Sequence, residues 1–227
     1  MLIVLEGLDG AGKSTQVRLL RSFLEKECPR MEYIHFPRYD APVYGELISA
    51  YLRGDFGPMD AVHPRLVALL FAEDRHGALP SIRRTLDCGG TVLLDRYVYS
   101  NIAYQCAKLP QAEEADALRD WIVATEYGAF ALPRPDLNIF LDVPIEFVEG
   151  NLCSGRSGSD RDYLHGGSDI HEADIAFQRR VRDIYRRQAV LDPSFVTVDC
   201  GDADGRMLPS DVIFGKIKAV YENHKKI

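Results

Sequence analysis

At 227 residues, with 46% hydrophobic and 27% charged side chains, 18 Gly and 12 Pro, the chain has the composition of a folded protein with material for one compact core. That excludes a disordered chain, a collagen and a disulfide-held miniprotein. The balance of 34 acidic against 27 basic residues, net −7, gives no overall reason to bind a polyanion such as DNA or an acidic membrane, so any phosphate recognition must be local.

In chain order, Leu2 to Leu5 is an apolar run closed by Glu6 and Gly7, and Val17, Leu19, Leu20, Phe23 and Leu24 follow at helical spacing, which predicts strand, turn, helix. Met31 to Phe36 is a second strand, roughly Val43 to Leu52 a helix, and His63 to Leu86 a long helix interrupted by Pro80. Val92 to Leu94, entered from Gly89-Gly90 and ended by Asp95, is a third strand. Helical patterns over Ala112–Ala124, Ile145–Leu152, Asp174–Ala189 and Val212–Tyr221 then alternate with strands at Leu137–Leu141 and Phe195–Val198. Short apolar strands joined by helices predict a parallel five-stranded sheet covered on both faces, an α/β fold in a single domain over 1–227. The glycine-rich, polar stretch from about 153 to 168 breaks this pattern and reads as a flap, or lid, carrying Arg156 and Arg161.

The five cysteines, Cys28, Cys88, Cys106, Cys153 and Cys200, form no Cys-x-x-Cys pair, which suits a reducing cytoplasm. No run of about 18 apolar residues and no basic leader is present, so neither a membrane span nor export is expected. The basic run from Gln178 to Arg187 sets Phe177, Val181, Ile184 and Tyr185 on one face, the pattern of a packed amphipathic helix rather than a nucleic-acid patch.

Chemistry enters at Gly7-Leu-Asp-Gly-Ala-Gly-Lys-Ser, which matches the phosphate-cradling pattern G-x-x-x-x-G-K-[ST] between a strand and a helix, as a P-loop requires. The backbone from Gly7 through Asp9, Gly10, Ala11 and Gly12 to Thr15 turns its N–H groups toward a nucleoside triphosphate, the helix adds its positive end, and Lys13 adds a charge. Ser14 is the expected Mg²⁺ ligand. Phosphoryl transfer between two phosphates needs further cations, and Arg38 and Arg96 follow strands whose carboxyl ends line the ligand crevice of such a sheet. Asp95, at the end of an apolar strand, suits either the metal shell or a loop-orienting role. Phe71 and Arg75 share one helix face, as Asn101 and Tyr104 do on any helix after Asp95.

Together with Phe36-Pro-Arg-Tyr, Leu70-Phe-Ala-Glu-Asp-Arg, the Leu94-to-Gln105 segment, Pro133-Arg-Pro-Asp-Leu and Asp169-Ile-His-Glu, these pieces resemble the thymidylate kinase family from residue 1 to about 200. The resemblance implies transfer of the γ-phosphoryl group of ATP to dTMP by a homodimer. It implies that Asp9 accepts from the sugar 3′-hydroxyl, that Phe71 stacks on thymine, and that Arg75 and Asn101 contact the base. Tyr104 would lie where a 2′-hydroxyl projects, and Phe36, Arg38 and Arg96 would line the acceptor phosphate site. Glu172 is implied as a substrate-side or magnesium-side carboxylate. Gly10 stands where some members carry an arginine, and Arg156 and Arg161 fit the other pattern, in which flap arginines close over the donor phosphates. The competing readings are a kinase for another nucleoside monophosphate or a deoxynucleoside, and a non-catalytic nucleotide switch. The chain has no Asn-Lys-x-Asp segment to read guanine for such a switch.

Overall fold

The computed structural model describes residues 1–153, 164, 169–172 and 174–225, so most of the flap, with Arg156 and Arg161, lies outside the described residues. Five strands, β1 (Leu2–Gly7), β2 (Met31–His35), β3 (Thr91–Asp95), β4 (Leu137–Asp142) and β5 (Phe195–Asp199), form one parallel sheet in the order β2-β3-β1-β4-β5. β1, β3 and β4 are buried at every position, as expected for strands covered on both faces.

Among the described residues eight α-helices connect and cover the strands: α1 (Lys13–Glu27), α2 (Tyr44–Arg53), α3 (Pro64–Asp87), α4 (Val98–Cys106), α5 (Ala112–Val123), α6 (Ile145–Cys153), α7 (Ile175–Leu191) and α8 (Ser210–His224). Helices α1 and α8 cover one face, where Phe23 meets Phe214 and Tyr221 edge-on at 6.3 and 5.7 Å between ring centres. Helices α3, α4 and α7 cover the other. The chain leaves β1 toward β2 and β3 on one side and reaches β4 and β5 on the other, so a crevice opens at the carboxyl end of β1.

Three elements differ from expectation, and the first is helix α4, which is not among the helical patterns read along the sequence. Helix α3 runs unbroken through Pro80, because Ala78, Leu79 and Ile82 are buried around it. A buried Leu or Ile contributes about 1.5–3 kcal/mol, enough to offset the roughly 3 kcal/mol that an interior proline costs. After α5 the chain forms a π-helical turn over Ala124–Ala129, with Phe130 N–H donating to Thr125 O five residues back at 2.8 Å.

The basic run is the packed face expected of it. Phe177, Val181 and Tyr185 are buried, Arg182 and Arg186 donate to Asp142 at 2.6 and 2.8 Å, and Arg187 pairs with Asp116. Among the described residues no helix is long and apolar enough to cross a membrane.

Candidate active site

The cradle joins β1 to α1. Gly10 and Gly12 adopt φ of +75° and +72°, the left-handed conformation that glycine enters without Cβ strain. Asn151 of α6 braces the loop by donating to Gly10 O at 2.7 Å. Lys13, Ser14 and Thr15 open the helix, where backbone N–H groups have no acceptor within the helix. Ser14 is exposed and Lys13 is buried, with its ammonium on Oδ1 of Asp95.

Asp95 also meets Nδ1 of His35 at 2.9 Å. Burial pushes the Asp95 carboxyl up, but the Lys13 ammonium and the His35 contact outweigh it and hold the group well below the usual carboxylate range. Asp95 thus holds the cradle lysine from the end of β3.

One residue on, Arg96 sits at φ +69°, a left-handed conformation that costs a non-glycine residue on the order of 1–3 kcal/mol. Its guanidinium donates to Oδ1 of Asp9 at 2.6 Å and lies 5.2 Å from the centre of the Tyr104 ring. Tyr104 donates its hydroxyl to Oδ2 of Asp9 at 2.7 Å. Below the cradle, Glu6 is fully buried and accepts from the Tyr97 N–H at 3.0 Å, the Tyr185 hydroxyl at 3.0 Å and the Ser100 hydroxyl. Burial raises its carboxyl above the usual range.

Beside these groups opens a cleft that is partly open to solvent. Asp9, Phe36, Phe71, Arg75, Arg96, Asn101 and Tyr104 all line it, so seven residues singled out from four separate segments meet in one cavity. Arg38 is anchored next to it: its backbone N–H and Nε both donate to the Asp74 carboxylate at 2.9 Å, and Nη2 donates to Asp74 O at 2.6 Å. Glu172 follows two lining residues, Asp169 and His171, and its N–H donates to Asp169 O at 3.1 Å.

The model of the thymidylate kinase family matches residues 5–203. A thymidylate kinase of Mycobacterium tuberculosis is 34% identical over 189 residues, which cover 83% of this chain and 86% of that protein. The human thymidylate kinase is 32% identical over 212 residues, 93% of this chain and 91% of its own. This chain belongs to the thymidylate kinase family. The fold agrees: the structure of the thymidylate kinase from Candida albicans matches with a TM-score of 0.75 at 30% identity, over 99% of this chain and 92% of that one.

The cleft of this thymidylate kinase family member is also lined and backed by residues that sequence spacing does not mark. Tyr39, Gln105 and His171 line the cleft, and Glu126, from the π-helical turn, stands behind it holding Arg75 through Nε at 2.5 Å and Nη2 at 2.8 Å. A buried arginine requires a buried acid, so Arg75 itself signals that such a partner exists. Its position in the chain becomes visible only in three dimensions.

Proposed function

We infer that this protein transfers the γ-phosphoryl group of ATP to dTMP, giving dTDP and ADP. One observation carries the reading: a single cleft beside the cradle is lined both by Arg96 and Asp9 and by Phe71, Arg75 and Asn101, so cationic and base-reading groups serve one ligand. The acceptor monophosphate loses its second proton near pH 6, so at neutral pH most of it is a dianion and no base has to activate it. What remains for the chain is in-line positioning and charge neutralisation.

Lys13 and the backbone from Gly7 to Thr15 take the donor phosphates, while Arg38 and Arg96 clamp the acceptor phosphate beside Phe36. Asp9 receives the sugar 3′-hydroxyl, Tyr104 fills the position of a 2′-hydroxyl, Phe71 stacks on the base, and Arg75 and Asn101 read its edge. Arg156 or Arg161 of the flap bridges donor and acceptor, and closure excludes water as a competing acceptor.

Ser14, Asp95 and Glu172 offer the hard oxygen donors that Mg²⁺ takes. The exposed Ser14 hydroxyl fits direct contact, Asp95, whose oxygens face Lys13 and His35, fits the outer shell, and Glu172 serves the acceptor side. With ATP bound, Mg²⁺ supplies neutralisation of the phosphate charge.

A reducing cytoplasm suits Cys28, Cys88, Cys106 and Cys200, which are unpaired thiols. The functional unit is a homodimer formed through helices between residues 43 and 124, where Leu47 and Leu66 are exposed.

Incubation with Mg-ATP and a panel of dTMP, dCMP, AMP and thymidine tests the reading. ADP release should be fastest with dTMP, and Lys13→Ala or Arg96→Ala should lower kcat by about 10³-fold or more while circular dichroism stays native. Faster turnover of thymidine or AMP than of dTMP, or no turnover at all, contradicts it.

A further inference from the structure

Glu126 is wholly buried, in a π-helical turn that belongs to no part of the sequence pattern read above. Its Oε1 accepts from two side chains that line the cleft, Arg75 Nη2 at 2.8 Å and Asn101 Nδ2 at 2.9 Å, and its Oε2 accepts from Arg75 Nε at 2.5 Å. The second acceptor of Asn101 Nδ2 is the Ala68 carbonyl, also at 2.9 Å. These contacts fix which way the Asn101 amide faces. A flipped amide would set its oxygen against a carboxylate and a carbonyl, neither of which can donate.

With both amide hydrogens taken, Asn101 retains one polar atom, Oδ1, which is buried and has no hydrogen-bond partner among the described residues. Glu126 likewise takes Nε and Nη2 of Arg75 and leaves Nη1 for other acceptors. Because both side chains converge on the same carboxylate oxygen, the acceptor Oδ1 and the donor Nη1 belong to neighbouring groups of one wall.

We propose that Glu126 is a positioning residue that sets base selectivity: it orients Asn101 as an acceptor and Arg75 as a donor, a pair complementary to the adjacent ring N–H and carbonyl of a 4-oxopyrimidine. A 4-aminopyrimidine carries the opposite pair, so its ring nitrogen would face Oδ1 lone pair to lone pair and its amine would face the guanidinium. A site built this way rejects the mismatched base because its own buried groups are left unpaired. The proposal rests on the reading that this cleft takes the acceptor nucleotide.

The test compares the full wild-type chain with Glu126→Gln, measuring kcat and KM for dTMP and dCMP at saturating Mg-ATP. Glutamine keeps the shape but puts a donor in place of one carboxylate oxygen, so Arg75 or Asn101 loses an acceptor and only the Ala68 carbonyl is left to hold the amide one way. The ratio of kcat/KM for dTMP over dCMP should fall by about tenfold or more, chiefly through KM, a change that general loosening of the fold would not produce. A ratio within about twofold of wild type in a folded variant overturns the proposal.

If Glu126→Gln does not fold, the wild type decides through N3-methyl-dTMP, which lacks the ring N–H. Inhibition at least about tenfold weaker than that expected from the dTMP KM supports the orientation, and equal binding overturns it. Wild-type enzyme that turns over neither dTMP nor dCMP overturns the proposal together with the reading of the cleft. A ratio unchanged within about twofold in Glu126→Gln, with dTMP turnover kept, overturns the proposal alone.

Discussion

A Cβ at Gly77 would stand 2.9 Å from Nη2 of Arg38, so the guanidinium lies against α3 in space that only glycine leaves open. The neighbour is the far end of a flexible side chain and can yield. Gly77→Ala should gain up to about 1 kcal/mol of helix propensity but displace Arg38 from the buried Asp74 carboxylate, whose lost partner costs more. The expected reading is a lower thermal midpoint with KM for dTMP raised by about tenfold. An unchanged KM would show that Arg38 does not hold the acceptor from this position. Residues of this kind divide what the sequence makes legible. Lys13 and Arg96 are found from a motif and a strand end, whereas Glu126, Gln105 and His171 acquire their place from contacts between elements distant in the chain.

At the scale of elements, the turn after α4 is fastened to α2 by Lys108, whose ammonium donates to the Tyr51 hydroxyl and to Gln105 Oε1, both at 2.6 Å. Burial pushes the Lys108 ammonium down from 10.5 to about 7, with Asp169 opposing the shift. A depressed folded-state pKa means that the unfolded chain binds a proton between about 7 and 10.5 that the folded chain does not, so this group's contribution to stability rises with pH across that window and is lost as pH falls through about 7. The thermal midpoint of wild type relative to Lys108→Met should rise by about 4–8 °C from pH 7 to pH 9, the shift that about 2 kcal/mol gives in a chain of this size. A constant difference would contradict the titration assigned to Lys108.

The strands and most helices are legible in sequence because the buried parallel strands are mostly apolar and the amphipathic helices repeat near 3.6 residues. Pro80 and the π-helical turn are not, since one breaks a local rule that tertiary burial outweighs and the other departs from the period by which faces are counted.

For the whole molecule, the order β2-β3-β1-β4-β5 sets the ends of β1, β2 and β3 side by side, which is why Asp9, Phe36 and Arg96 meet although 87 residues separate the first from the last. Helices α3 and α4, on the same side, bring Phe71, Arg75, Asn101 and Tyr104 to that crevice. Assembly belongs to this scale too: sedimentation equilibrium should give twice the chain mass, with Leu66→Glu shifting it toward one chain, and a wild-type monomer at micromolar concentration would contradict the proposed dimer. The most direct test is a crystal structure with dTMP and a non-hydrolysable ATP analogue. The account predicts the thymine ring against Phe71, its edge on Arg75 and Asn101, and its phosphate between Arg38 and Arg96. A base bound away from Phe71 would contradict it.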